Sequence, residues 1–128
     1  MKKKVLIVVS DYYKDISEAL LKSTKKYLIK KTSLKIIKVP GVFEIPVTIS
    51  KNIKKFDGFV AIGCVIKGKT AHFDLISKSV IDAIMNLSID SKKPVGNCIL
   101  TCFNYKQALA RKKKGREAAI ALNSILYK

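Results

Sequence analysis

The 128-residue chain is short of acidic residues, histidine and cysteine, and each shortage narrows what it does. Nine Asp and Glu stand against 26 Lys and Arg, giving a net charge of +17 that favours a nucleic-acid or other anionic partner, or a phosphorylated substrate. Histidine occurs once, at His72, and cysteine three times, at Cys64, Cys98 and Cys102. Their spacings match no metal-binding pattern, so no metal site is expected. An odd cysteine count in so apolar a chain also argues against a disulfide scaffold. Cys64 and Cys98 fall inside apolar runs and read as buried, inert thiols. No apolar run approaches the ~20 residues that span a bilayer. Met1 to Lys4 followed by Val5–Val9 has the outline of a signal peptide, but the apolar stretch is too short and no small-residue cleavage site follows before Asp11. It is read as a first strand, and the protein as cytoplasmic. P-loop, GxGxxG, GxSxG and HExxH patterns are missing as well, which leaves nucleotide-cofactor and metallohydrolase readings without support.

What is present is a 48% hydrophobic sequence, enough for one domain over residues 1–128 with a real core. Strand and helix signals alternate. Val5–Val9 is a continuous β-branched run of the kind covered on both faces. Asp15 to about Leu28 follows a helical period through Ile16, Ala19, Leu20, Ser23 and Tyr27, with Asp15 as N-cap and Glu18 as its capping-box partner. Leu34–Val39 is a short strand stopped by Pro40-Gly41. Phe43 to about Lys54 is a second helix with Pro46 in its first turn. Phe59–Ile62 begins a third strand that runs towards Ile66, and Ala71 to Leu87 is the longest amphipathic helix, with Ile76, Val80, Ala83, Ile84 and Leu87 on one stripe. Pro94–Thr101 is a fourth strand. Asn104–Arg111 and Gly115–Tyr127 form one or two closing helices, with Ala118, Leu122, Ile125 and Leu126 on one face. Strands separated by helices imply right-handed crossovers and a parallel sheet. The expected fold is therefore α/β, a flavodoxin-like three-layer α/β/α sandwich with a four-stranded parallel sheet. Ligands in such sheets gather at the carboxyl ends of the strands, which selects the segments after Val9, Val39, Val65 and Thr101.

Three segments carry candidate chemistry. In Gly63–Asp74, Gly68 permits a tight turn and Lys69-Thr70 opens a helix whose free N–H groups hold an anion. His72 stands in that first turn, and imidazole is the side chain best able to exchange protons near neutral pH. A surface capping role for His72 competes with catalysis on local grounds. In Val39–Pro46, Gly41 allows a sharp turn and close ligand approach, Phe43 offers an apolar face and Glu44 offers acceptors for hydroxyls. A plain turn with a capping Glu is the competing reading. In Gln107–Glu117, Arg111 is suited to paired N–H contacts with a phosphate, while Lys112 and Lys113 read as a solvated hinge.

VPGVFEIP (Val39–Pro46) and GCVIKGKTAHFD (Gly63–Asp74), in that order on two strand ends, together with QALAR…KGREAA (Gln107–Ala119), resemble the lumazine synthase family of riboflavin biosynthesis. The resemblance runs from Val5 to Leu126. It implies an enzyme that condenses 5-amino-6-ribitylaminouracil with 3,4-dihydroxy-2-butanone 4-phosphate to give 6,7-dimethyl-8-ribityllumazine, without cofactor or metal. Matched position by position, His72 is the proton-transfer residue and Tyr12 stacks on the pyrimidine. Val42, Phe43 and Glu44 line the site, with Glu44 on the ribityl chain. Val65 and Ile66 meet the pyrimidine edge, and Lys69 and Thr70 cradle the phosphate. Arg111 pairs with that phosphate and Lys114 matches the family lysine near it. The resemblance also implies a homopentamer, alone or in a larger shell, in which Asn97, Arg111 and Lys114 come from the adjacent chain. Four features depart from the family pattern. Lys69 replaces an acidic or small residue, Asn97 an aromatic, and Thr101-Cys102 a threonine pair. The loop between Arg111 and Gly115 is short and lacks its usual glycines.

Two other readings stand beside this one. A riboflavin synthase of the same fold is disfavoured by the intact His72 block. A basic nucleic-acid module is disfavoured because the lysines are spread along the whole chain, with neither a reading module nor evident basic and aromatic interleaving.

Overall fold

The computed structural model describes residues 2–68 and 72–128. Its elements are β1 (Lys4–Ser10), α1 (Lys14–Tyr27), β2 (Ser33–Val39), a 3-10 turn (Val42–Glu44), α2 (Ile45–Lys51), β3 (Gly58–Ile66), α3 (His72–Ser91), β4 (Val95–Cys102), α4 (Tyr105–Ala110) and α5 (Gly115–Leu126). The four strands form one parallel sheet in the order β2-β1-β3-β4. The expected α/β fold is borne out.

The unbroken apolar runs explain the layers. Successive side chains of a strand point to opposite faces. In β1, Val5, Ile7 and Val9 therefore enter one core with Ile16 and Leu20 of α1 and Ala118 and Leu122 of α5. Leu6 and Val8 enter the other with Ile45 and Ile49 of α2 and Val80 and Ile84 of α3. Val5 to Val9 are all buried because helices cover both faces. β2 is an edge strand, and its exposed Lys35 and Lys38 discourage pairing with another sheet. The chain goes from β1 to β2 on one side, then crosses to β3 on the other. Such a reversal opens a crevice at the carboxyl ends of β1 and β3.

Several local expectations change. Helix α1 starts before Asp15, with Tyr13 as an N-cap lacking a side-chain hydrogen bond, so Asp15 lies in the first turn and complements the helix dipole. Its buried face is Ile16, Ser17, Leu20 and Thr24, and Tyr27 is exposed; Ser17 is tied to Ser10 O of β1, and Thr24 lies where Gly115 of α5 makes close contact. The segment expected as one helix from Phe43 is a 3-10 turn followed by the shorter α2, with Pro46 in the first turn as expected. α3 runs four residues beyond Leu87. The closing region is two helices, and Ile125 is exposed rather than on the buried face of α5. Among the described residues, no helix is long and apolar enough to cross a membrane.

Candidate active site

The turn from β1 to α1 is fixed at both ends. Asp11 N donates to Val39 O at 3.3 Å, and Ser17 Oγ donates to Ser10 O. This holds Tyr12 and Tyr13 at the carboxyl edge of the sheet. Tyr12 is 75% exposed. Its ring meets the edge of Tyr13 at 4.9 Å, and Tyr13 in turn leans on Tyr105 of α4 at 6.3 Å. Three rings thus form a braced row from the sheet edge to α4. Burial, with Tyr12 and Cys64 nearby, pushes the Tyr13 hydroxyl above its ordinary 10.0, so it stays a neutral donor.

The second wall comes from the turn after β2. Glu44 N donates to Gly41 O at 3.2 Å, closing the 3-10 turn, and Val42 packs down on β3. Gly63 makes that packing possible: a Cβ there would lie 2.5 Å from Val42 Cγ1. Gly41 itself is extended, with φ −144, so its backbone conformation is not what requires glycine. Its glycine instead gives room to Glu44, whose Oε1 would sit 3.1 Å from an added Cβ.

Between these walls, Tyr12, Tyr13, Gly41, Val42, Phe43, Cys64, Val65, Ile66, His72 and Ile76 line one cleft of about 610 Å³. It lies where the strand reversal requires a crevice. Three of the four strand ends selected from sequence feed it. The fourth, after β4, supplies Phe103, whose ring lies 6.2 Å from that of Phe73 and under Lys67 Nζ at 5.4 Å. His72 is the first residue of α3 and exposed. Of the residues that the resemblance assigns to the site, Tyr12, Val42, Phe43, Val65, Ile66 and His72 line this one cleft. Glu44 is not among the residues lining this cleft and lines a neighbouring hollow with Phe43, Val47 and Val80. Lys69 and Thr70 lie outside the described residues.

Asn97, Arg111 and Lys114 are elsewhere in the same chain. Asn97 is exposed on β4, the edge strand opposite β2, where its Oδ1 accepts from Ile99 N at 3.0 Å. It lines a largely apolar hollow of about 700 Å³ between α3 and α5. Arg111 and Lys114 share a groove of about 660 Å³ with Lys113, Arg116 and Glu117. Sequence reasoning missed Tyr13, Cys64 and Ile76 as lining residues, whereas Gly41 was read as a point of close ligand approach. Tyr13 was findable, since the residue after Tyr12 shares its loop. Cys64 was read only as core, and it is both: burial pushes its thiol up to about 12, which keeps it inert in the cleft floor. Cys98 is likewise buried and pushed up to about 12. Among the described residues there is no group of His, Cys, Asp and Glu able to hold a metal.

The family model described as 6,7-dimethyl-8-ribityllumazine synthase matches residues 2–127. Proteins of that name resemble the chain over most of its length. The one from Bartonella bacilliformis is 42% identical over 118 residues, covering 88% of this chain and 78% of the relative. That from Bartonella henselae is 44% identical over 115 residues, 86% and 74% respectively. That from Agrobacterium fabrum is 40% identical over 130 residues, 91% and 88%. With a match spanning nearly every residue, this chain belongs to the 6,7-dimethyl-8-ribityllumazine synthase family.

Proposed function

We propose that the cleft at the carboxyl ends of β1, β2 and β3 is where this chain, an enzyme of riboflavin biosynthesis, makes 6,7-dimethyl-8-ribityllumazine from 5-amino-6-ribitylaminouracil and 3,4-dihydroxy-2-butanone 4-phosphate. One observation carries the reading: the chain's single imidazole, an exposed aromatic ring and two strand-end residues, Val65 and Ile66, face one crevice. Tyr12 offers a ring face to the flat pyrimidine, and Tyr13 braces that ring from its edge. Val65 and Ile66 bound the pyrimidine edge, and Phe43 and Glu44 flank the ribityl chain. His72 gives and takes the protons needed for phosphate loss and for the dehydrations that close the second ring. Holding two reactants in one geometry supplies much of the acceleration.

A leaving phosphate needs cations, and none of the described cleft-lining residues is a lysine or arginine. Arg111 and Lys114 sit in a separate groove, so the reading brings them, with Asn97, from an adjacent copy in a cytoplasmic homopentamer. Lys69 and Thr70 would cradle the same phosphate. Exposed Leu75, Met85 and Ile89 on α3 and Ile125 near the β4 edge support such association, since apolar surface of this extent marks contact sites. The test is direct. The chain with both substrates should yield the fluorescent lumazine, and its native mass should be a multiple of five chains. Folded protein that makes no lumazine, or that makes riboflavin when given lumazine alone, refutes the reading, and a monomeric mass refutes the shared site.

A further inference from the structure

The charge is distributed unevenly between the two helical layers. Residues 14–32 and 111–128, which hold α1 and α5, carry twelve Lys and Arg and three Asp and Glu, a net +9 of the total +17. Residues 42–57 and 72–93, which hold α2 and α3, carry six and five, a net +1. The one ion pair among the described residues, Lys78 with Asp82, is also on the α3 side. The basic layer is left unneutralised by its own chain.

Its cations are also held in place. Gly115 lets α5 touch α1: a Cβ there would lie 2.5 Å from Leu20 O and 2.6 Å from Thr24 N. Ser23 Oγ donates to Lys113 O at 3.1 Å, and Asn123 Nδ2 donates to Tyr27 O at 2.9 Å. Residues far apart in sequence therefore meet on one surface. Lys26 Nζ and Arg116 Cζ lie 5.6 and 5.3 Å from the centre of the Tyr27 ring, and Lys31 Nζ lies 5.2 Å from that of Tyr127. Lys22 and Lys26, four residues apart on α1, share a helix face with this cluster.

We propose that the α1–α5 face is a nucleic-acid-binding surface that grips the phosphodiester backbone without reading sequence, separate from the catalytic cleft. Interleaved cations and tyrosines are the pattern of such surfaces. The sequence conceals it, because Tyr27 and Arg116 are joined only by folding. A lipid surface is disfavoured, since the exposed residues of α1 are Lys14, Asp15, Glu18, Lys22, Lys25, Lys26 and Tyr27, while the exposed Ile120 and Ile125 of α5 line the Arg111 groove and the hollow towards α3 and form no joint apolar ridge. The proposal does not depend on the reaction assigned to the cleft.

The test compares two variants that lose the same charge. One carries Lys22→Gln, Lys26→Gln and Lys31→Gln, and the other carries Lys51→Gln, Lys54→Gln and Lys55→Gln on the α2 side. A labelled single-stranded RNA of mixed sequence is titrated by fluorescence anisotropy over a range of salt. The first variant should bind at least tenfold more weakly at fixed salt, and its log–log salt slope should fall by about 2, at ~0.7 per lost phosphate contact. The second should bind nearly as the parent does. Circular dichroism and lumazine formation, unchanged in both, exclude misfolding. Equal loss in the two variants would mean a diffuse field and overturn the proposal. Polyglutamate of matched charge displacing the RNA as well as unlabelled RNA does, or tighter binding to phosphatidylserine vesicles, would overturn it too.

Discussion

Replacing Gly63 by alanine tests the link between packing behind the cleft and binding within it. The new Cβ would lie 2.5 Å from Val42 Cγ1 and 3.3 Å from Ser10 Cβ. Carbon atoms rest about 3.5–4.0 Å apart, so the Val42 side chain must retreat by roughly 1 Å. Overpacking of this kind costs about 1–3 kcal/mol. Alanine regains about 0.5–1 kcal/mol by restricting the unfolded chain. The net loss of stability should be about 1–2 kcal/mol. Val42 belongs to the same turn as Phe43 and Glu44, so the cleft wall moves with it. KM for the aminouracil should rise by about tenfold, since misplacement of ~1 Å is enough for effects of that size or larger. Removing the clashing methyls with Val42→Ala in the same chain should recover part of the loss. Denaturant unfolding of parent, both single variants and the double variant should give a coupling energy of about 1 kcal/mol or more in the relieving direction. Strict additivity, or an unchanged KM in Gly63→Ala, would refute the packing argument.

Four further outcomes are expected. His72→Ala should lower kcat by about 100-fold or more, the size of a general acid–base contribution, with little change in KM; steady-state rates of lumazine formation check it. Tyr13→Leu should raise KM for the aminouracil several-fold by freeing the Tyr12 ring, while Tyr13→Phe, which keeps the edge contact, should not; paired kinetics on the two variants decide. Gly115→Ala should destabilise the fold by at least about 1–3 kcal/mol, because its Cβ meets backbone atoms of α1 rather than a movable side chain; a melting curve reads this. Cys98 is protonated in the fold up to about pH 12 against an ordinary 9.0, so its contribution to stability is full below pH 9 and declines as pH rises from there towards 12. The decline should reach about 1.4 kcal/mol per pH unit, and Cys98→Ala should flatten the alkaline fall in melting temperature.

Much of this was legible in the residues. The β-branched runs at Val5–Val9 and Phe59–Ile62 gave both the parallel sheet and its burial on two faces, because period-2 geometry leaves an unbroken apolar strand no exposed side. Pro46 and the apolar period of α3 located their helices. Where local signals failed, tertiary contact decided. Asp15 has the chemistry of an N-cap, yet α1 begins earlier because Ser17 is drawn to Ser10 O at the strand end. Ser17 and Thr24 look like surface positions, yet both are buried, Thr24 where Gly115 brings α5 against α1. In the site, Tyr12, Val42, Phe43, Val65, Ile66 and His72 came from the family resemblance, and they line one cleft because they stand at or beyond the carboxyl ends of β1, β2 and β3. Tyr13 and Ile76 were missed because their roles arise from a neighbour's ring and from a helix face turned to the crevice. The clustering of Lys26 and Arg116 on Tyr27 could not be read at all, since it exists only once α1 and α5 have met.

The proposal that the cleft of one chain takes its phosphate-binding cations from the next is tested most directly by mixing two inactive chains, one carrying His72→Ala and the other Arg111→Ala. Each alone should be nearly inactive. After unfolding together and reassembly in equal amounts, random neighbours pair an intact cleft with an intact Arg111 in about a quarter of the sites, so about a quarter of the parent activity should return. Activity that stays at the level of the separate variants would contradict the shared site.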